Sequence, residues 1–158
     1  MAKNKHMKPP PQDEYGLVKA CRALHAVVDQ LDATICDKVG ISRNDLRCLN
    51  LLEHGAILPK DIAEKLDLTS GSVTALLDRL EKKGLIQRKS HPEDRRAILI
   101  EATPKVFMEL GEMYRNMGEA VVDLANGYGS QEATQAAKHL NDMIGAFEGV
   151  IKGLRDND

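Results

Sequence analysis

Two short amphipathic helices joined by a tight turn constrain the fold of this chain more than any other feature. Residues 60–66 and 69–83 each carry apolar residues at helical spacing, and only Asp67 and Leu68 lie between them. Two residues form only a sharp turn, so the helices are expected to cross steeply, as in a helix-turn-helix. Thr69 is a good N-cap for the second helix. The residues predicted to be buried are Ile62, Ala63, Leu66, Val73, Leu76, Leu77 and Leu80.

The opposite face of the second helix carries small, polar or cationic residues. Small side chains let a backbone approach base edges, and hydroxyl groups can donate to bases or phosphates. The N-terminus of a helix also attracts phosphate. This face therefore indicates contact with double-stranded DNA, and an ordinary solvated face is the alternative. The candidate contacts are Ser70, Gly71, Ser72, Thr74, Ala75, Arg79 and Lys82.

A β-hairpin with a charged loop is predicted directly after this helix. Gly84 is placed to end the helix in the left-handed conformation, and residues 86–90 and 97–102 are typical of short strands. Pro92 and its charged neighbours exclude strand pairing between them. Such a hairpin, called a wing, can insert its loop into a minor groove, where negative potential is concentrated. The candidate wing contacts are Arg88, Lys89, Asp94, Arg95 and Arg96.

Long amphipathic helices are predicted at both ends of the chain. Apolar residues alternate at spacings of four and three in a helix over residues 13–38, a pattern typical of a seam between two helices. The C-terminal helix repeats this spacing, and another long helix is predicted after Pro104. Packing within one chain is the alternative to a seam between subunits. The two seams are Leu17, Cys21, Leu24, Val28, Leu31 and Ile35, and Ala133, Ala137, Leu140, Ile144, Phe147, Ile151 and Leu154.

These elements predict a mainly α-helical fold with a small β-hairpin wing. Residues 1–12 are interpreted as a disordered N-terminal arm, and residues 13–40 as an N-terminal dimerisation helix. Residues 41–103 form the predicted winged helix-turn-helix domain, and residues 104–158 the predicted C-terminal dimerisation helices.

Two further helices are predicted to begin at serine residues. Ser42 can cap a helix in which Asp45 completes a capping box. Ser130 follows a glycine-rich break and is the predicted cap of the C-terminal helix.

Charge is unevenly distributed along the sequence. Residues 69–96 hold seven cations and four anions, a net charge of +3, which leaves −5 for the remainder because the whole chain carries −2. This excludes a uniformly basic protein that coats nucleic acid and favours a local basic surface. Three cysteines without a pairing motif, no apolar membrane span and no secretory signal predict a reduced, cytoplasmic protein. No metal-ligand cluster, cofactor loop or nucleophile–base pair is found, so we expect no enzyme and no cofactor.

Four sequence blocks resemble the MarR family of bacterial transcriptional regulators. They are Val73-Thr74, Asp78-Arg79-Leu80-Glu81, Lys83-Gly84-Leu85 and Asp94-Arg95-Arg96, and their order and spacing extend the resemblance over the chain after the arm. The resemblance implies a homodimer on a pseudo-palindromic operator, with recognition helices in major grooves and wings in minor grooves.

The same resemblance assigns individual roles. Ser70, Ser72, Thr74 and Arg79 would contact bases or phosphates, and Arg95 would enter the minor groove. Asp94 would fix the wing through a charge-assisted pair with Arg96. Ala75 replaces a long polar residue common in relatives, and Leu58-Pro59 replaces a usual Ser or Thr cap.

The resemblance also implies a repressor that is released by a small aromatic or anionic ligand. A second hypothesis is redox sensing through Cys21, which shares a helix face with His25 four residues later. An inert thiol in the seam is the alternative for Cys21. A winged helix that binds another protein is a further alternative, since a fold does not fix a function.

Overall fold

The computed structural model describes residues 12–94 and 96–156, with side chains described from residue 15 onward. Gln12, predicted as the end of the arm, is the first residue of a helix, and the rest of the predicted arm lies outside the described residues. The elements are α1 (Gln12–Val39), α2 (Arg43–Leu52), α3 (Pro59–Leu66), α4 (Ser70–Lys82), β1 (Ile86–Ser90), β2 (Ile98–Ala102), α5 (Pro104–Glu109), α6 (Gly111–Asn126) and α7 (Ser130–Arg155). The predicted fold class, helices with one small hairpin, is confirmed.

The chain divides into two compact units, the first extending to Gly111 and the second beginning at Glu112. In the first unit, the predicted apolar stripe of α4 is buried, while Ala63 of α3 remains partly exposed. Burying one such Leu or Ile side chain stabilises a fold by roughly 1.5–3 kcal/mol. The helix-turn-helix is therefore held together chiefly by apolar packing. Its core residues are Ile62, Leu66, Val73, Leu76, Leu77 and Leu80.

Local hydrogen bonds set where the helices of this unit begin and end. The predicted capping box is confirmed, since the Ser42 hydroxyl accepts from Asp45 N and Ser42 N donates to the Asp45 carboxylate. Asp67 adopts a left-handed φ of 55° at the turn between α3 and α4. Gly84 has φ of 72° after α4, and Leu85 N donates to Leu80 O, which gives the predicted helix stop.

The hairpin is antiparallel, and its register runs from Ile86 opposite Ala102 to Ser90 opposite Ile98. Ile57, just before α3, forms two backbone hydrogen bonds with Ile100 of β2, at 3.0 and 2.8 Å. These bonds attach the base of the hairpin directly to the helix-turn-helix.

Two predicted helix boundaries are wrong. The helix after Pro104 is interrupted at Leu110, which ends α5 and is 3% exposed in the core of the first unit. Gly111 follows, a residue that lowers the cost of a break because it has low helix propensity. The N-cap of α7 is Gly129 rather than Ser130, because the Glu132 carboxylate accepts from Gly129 N and supplies the capping contact.

Apolar faces of the long helices are exposed in the single chain. Ile35, at the end of the α1 seam, is buried, whereas Cys21 and Leu31 are only partly covered. Within the described part of the chain, no helix combines the length and the apolarity needed to cross a membrane. The exposed apolar residues of α1, α6 and α7 include Leu17, Leu24, Val28, Met117, Val121, Leu124, Leu140, Ile144, Phe147, Ile151 and Leu154.

Candidate DNA-binding surface

The outward face of α4 has the composition that the sequence predicted. Every candidate contact on this helix is exposed, while the apolar stripe behind it is buried. Within the described residues of the range 41–103, Ile98 on the hairpin is the only large apolar side chain that is substantially exposed. A helix that docks onto another protein usually presents exposed aromatic or Leu anchors, so this face fits nucleic acid better than protein.

Hydroxyl groups at the start of α4 already form hydrogen bonds within the helix. Thr69 Oγ1 accepts from Ser72 N at 3.2 Å and lies 2.9 Å from Ser72 Oγ. Thr74 Oγ1 donates to Ser70 O at 2.9 Å. A hydroxyl oxygen keeps acceptor capacity when it donates, but these contacts hold Ser72 and Thr74 in fixed orientations.

The two cationic candidates on α4 have different surroundings. Arg79 Nη2 lies 2.9 Å from Asp45 Oδ1 of α2, and the Asp45 side chain is only 5% exposed. Lys82 is exposed and forms no ion pair with any described residue. The sequence placed both residues on this face but gave no sign that Arg79 has a buried partner.

Ion pairs also engage the two cationic candidates on β1. Arg88 Nη2 lies 2.6 Å from Asp78 Oδ1, and Arg88 Nη1 pairs with Glu81, both on α4. Lys89 pairs with Glu101 of β2. Hydrogen bonds from Lys89 and then Gln87 lower the pKa of the Glu101 carboxyl, so this carboxylate stays charged. Arg88 thus joins the hairpin to α4, and Lys89 joins its two strands.

Backbone hydrogen bonds give the wing loop a defined shape around His91. His91 Nδ1 accepts from Glu93 N and Asp94 N, both at 3.2 Å. His91 N donates to Ala97 O at 3.0 Å, which closes the loop at its base. The sequence analysis assigned no role to His91 and missed this one. Its position directly before the Pro-Glu-Asp turn was the available signal.

The predicted side-chain pair between Asp94 and Arg96 is not formed. Instead, Asp94 Oδ1 accepts from Arg96 N at 2.9 Å, because the carboxylate closes a local turn with the backbone two residues ahead. The Arg96 side chain remains exposed. Arg95 lies outside the described residues.

The cysteines differ in exposure. Cys36 and Cys48 are buried, and Cys21 on α1 is partly exposed. Burial raises the pKa of Cys36, and burial followed by the charge of Asp45 raises the pKa of Cys48 to about 12. Among the residues that the structure describes, no three His, Cys, Asp or Glu side chains are grouped to hold a metal ion.

A helix-turn-helix that shares one core with an antiparallel hairpin defines a winged helix-turn-helix protein. The model of the MarR family matches residues 41–98. The uncharacterized HTH-type transcriptional regulator YcgE of Bacillus subtilis is 34% identical over 118 residues, which are 74% of this chain and 77% of that protein. The chain belongs to the MarR family and is a DNA-binding transcriptional regulator.

Solved structures agree with this fold. The YusO protein of Bacillus subtilis superposes with a TM-score of 0.63 at 25% identity, covering 88% of this chain and 99% of that one. The MepR–DNA complex of S. aureus superposes with a TM-score of 0.59 at 22% identity, covering 80% of this chain and 96% of that one. The second structure shows the same fold in a protein that is bound to DNA.

Proposed function

We propose that the protein is a homodimeric repressor that binds a pseudo-palindromic operator and is released by a small aromatic or anionic ligand. The observation that carries the proposal is the exposed polar and cationic face of α4 beside an exposed, hydrogen-bonded wing loop. Both features belong to the same compact unit. Of the residues that the sequence nominated, the expected DNA contacts are Ser70, Gly71, Ser72, Thr74, Ala75, Arg79 and Lys82 on α4 and Arg95 and Arg96 on the wing, whereas Arg88, Lys89 and Asp94 are expected to shape the wing.

The charge pattern supports a division of roles within this set. Arg88 and Lys89 are neutralised by carboxylates, so we assign them to fixing the wing and expect little direct phosphate binding from them. Lys82 and Arg96 have exposed side chains without carboxylate partners among the described residues. These two, together with Arg95 and the exposed part of the Arg79 guanidinium, are the proposed source of the electrostatic attraction to DNA.

Binding can be measured by fluorescence anisotropy with duplexes from the DNA that flanks the gene. Affinity should fall by about a thousandfold between low and moderate salt if several phosphates are contacted. Arg95→Ala should weaken binding by about tenfold or more. Arg155→Ala removes the same charge at the end of α7 and is the matched control. Equal affinity of Arg95→Ala and the wild type would refute the role of the wing.

Exposed apolar stripes on α1, α6 and α7 support a homodimer. A helix that exposes an apolar stripe along much of its length is uncommon on a monomer, and such a stripe is usually covered by a partner. Ile144 on α7 is 55% exposed, and Ile144→Glu should therefore dissociate the dimer in sedimentation experiments. Lys138→Glu, at an exposed polar position on the same helix, should leave the dimer intact.

A ligand can be sought by thermal shift with small aromatic carboxylates as probes. A compound that binds the native state raises the melting temperature. An inducer should also lower operator affinity, because allosteric coupling is reciprocal between the two sites. A compound that raises the melting temperature without changing DNA affinity would not be an inducer.

A further inference from the structure

One carboxylate in the first unit is buried although it carries a charge. Asp45, on α2, is 4% exposed and is the buried charged residue of the described chain. Burying a carboxylate is costly unless its oxygens accept hydrogen bonds, and a buried charge of this kind needs a specific partner. The groups that donate hydrogen bonds to Asp45 therefore indicate its role.

Each oxygen of Asp45 has its own partner. Oδ2 accepts from Ser42 N at 2.9 Å and closes the capping box of α2. Oδ1 accepts from Arg79 Nη2 at 2.9 Å, across 34 residues of sequence. The first bond is local to α2, whereas the second reaches the helix that carries the candidate DNA contacts.

Arg79 uses only part of its guanidinium for this contact. A guanidinium has five N–H donors in a rigid plane, and the Arg79 side chain remains 53% exposed. Donors that do not face Asp45 are thus available on the outer surface, where Lys82 lies one turn further along α4. A planar group held on one edge presents its other edge in a fixed direction, which lowers the entropy lost when it binds an anion.

The geometry points to Asp45 as a positioning residue for DNA binding: it orients the Arg79 guanidinium toward a backbone phosphate. This inference rests on the proposed contact between Arg79 and DNA. The positioning role explains why Arg79, which would attract phosphate, is paired with the Asp45 carboxylate. Without such a role, the negative charge of Asp45 would only weaken the attraction of Arg79 for phosphate. Asp45 itself stays buried behind α4 and does not touch the nucleic acid.

The test compares Asp45→Ala, Arg79→Ala, the double variant and Ser42→Ala. Ser42→Ala is the control for a weakened α2 cap, because it removes the other half of the capping box, the Ser42 hydroxyl that accepts from Asp45 N, and leaves the Asp45–Arg79 pair. Affinity and its salt dependence are measured with a duplex of about 30 base pairs recovered by selection from a random library, long enough for two half-sites. Circular dichroism melts verify that each variant is folded at the assay temperature.

We expect Asp45→Ala to weaken binding by about fivefold and Arg79→Ala by about tenfold. The double variant should bind like Arg79→Ala, since the carboxylate acts only through the arginine. Both single variants should reduce the slope of log affinity against log salt by up to about one, the value for one lost phosphate contact. A purely structural role of Asp45 would lower stability without changing this slope.

The outcomes separate this inference from the function on which it rests. If Asp45→Ala binds as tightly as Ser42→Ala, or more tightly than the wild type, the positioning role is overturned while the DNA-binding assignment stands. If selection recovers no duplex that the wild type binds, the proposed operator binding fails first. A double variant weaker than Arg79→Ala would also refute the inference, because Asp45 would then act independently of the arginine.

Discussion

Arg88 on β1 pairs with Asp78 on α4, with Nη2 and Oδ1 separated by 2.6 Å, and the same guanidinium pairs with Glu81. Two carboxylates of the candidate recognition helix therefore hold one cation of the wing. These ion pairs are partly exposed and therefore add little stability; their main effect is to hold the hairpin in place against α4.

The first prediction follows from this contact. A double-mutant cycle with Arg88→Ala and Asp78→Ala should give a coupling energy for unfolding of about 0.5 kcal/mol, as is usual for exposed ion pairs. Denaturant titration measures each free energy of unfolding. Lys83→Ala combined with Asp78→Ala is the control cycle and should give no coupling. A coupling near zero in both cycles would contradict the bridge between the hairpin and α4.

A second prediction concerns the wing loop. His91→Ala removes the acceptor for Glu93 N and Asp94 N, so the loop loses its fixed shape and operator affinity should fall about fivefold, the equivalent of one hydrogen bond. His91→Asn supplies a side-chain oxygen that can accept from the same donors and should retain most of the affinity. Anisotropy titration compares both with the wild type. Wild-type affinity of His91→Ala would show that the loop does not need this acceptor.

Thiol labelling provides a third prediction. Burial raises the pKa of Cys48 to about 12, so at about pH 8 only about one thiol in ten thousand is a thiolate. The pKa of Cys48 is higher in the folded protein than that of an ordinary thiol. The stability that the neutral thiol contributes is therefore complete below the ordinary pKa and is lost as pH rises toward 12. Iodoacetamide followed by peptide mass spectrometry should label Cys48 only in urea. Rapid labelling of native Cys48 would contradict its burial.

The stop of α4 gives a fourth prediction. Gly84 has φ of 72°, and a Cβ there would meet only Lys105 Cδ at 3.8 Å, so Gly84→Ala adds conformational strain without a clash. The expected loss is about 1 kcal/mol, or about 3 °C in melting temperature. Gly71→Ala, with open space around its Cβ, should instead keep or raise stability. Equal melting temperatures for the two variants would argue against the left-handed stop.

Local features were predictable from the sequence because their residues lie close together along the chain. The Ser42–Asp45 capping box, the buried stripe of α4 and the stop at Gly84 all depend on spacings of a few residues. The helix break at Leu110 was missed because the apolar periodicity continues through it, whereas the burial of Leu110 in the first unit is visible only in the structure.

Partners of the charged residues could not be predicted in the same way. Arg79 and Asp45 are 34 residues apart, and their pairing depends on how α4 crosses α2. Arg88 and Lys89 were assigned to DNA because their charge is visible in the sequence. The carboxylates that neutralise them are brought close only by the fold, through the packing of β1 on α4 for Arg88 and the pairing of β1 with β2 for Lys89. Sequence thus indicates which face is cationic but does not indicate which cations are already paired.

The hairpin is anchored at its base and open at its tip. Ile57 bonds to Ile100, and Thr103 bonds to Gly84 and Leu85, so both strands are attached near the helix-turn-helix. The described residues of the loop between His91 and Ala97 form their hydrogen bonds with one another. Evolution, or a protein engineer, can therefore exchange the tip as a separate module, which would change the proposed groove contacts of the wing without disturbing the proposed recognition helix.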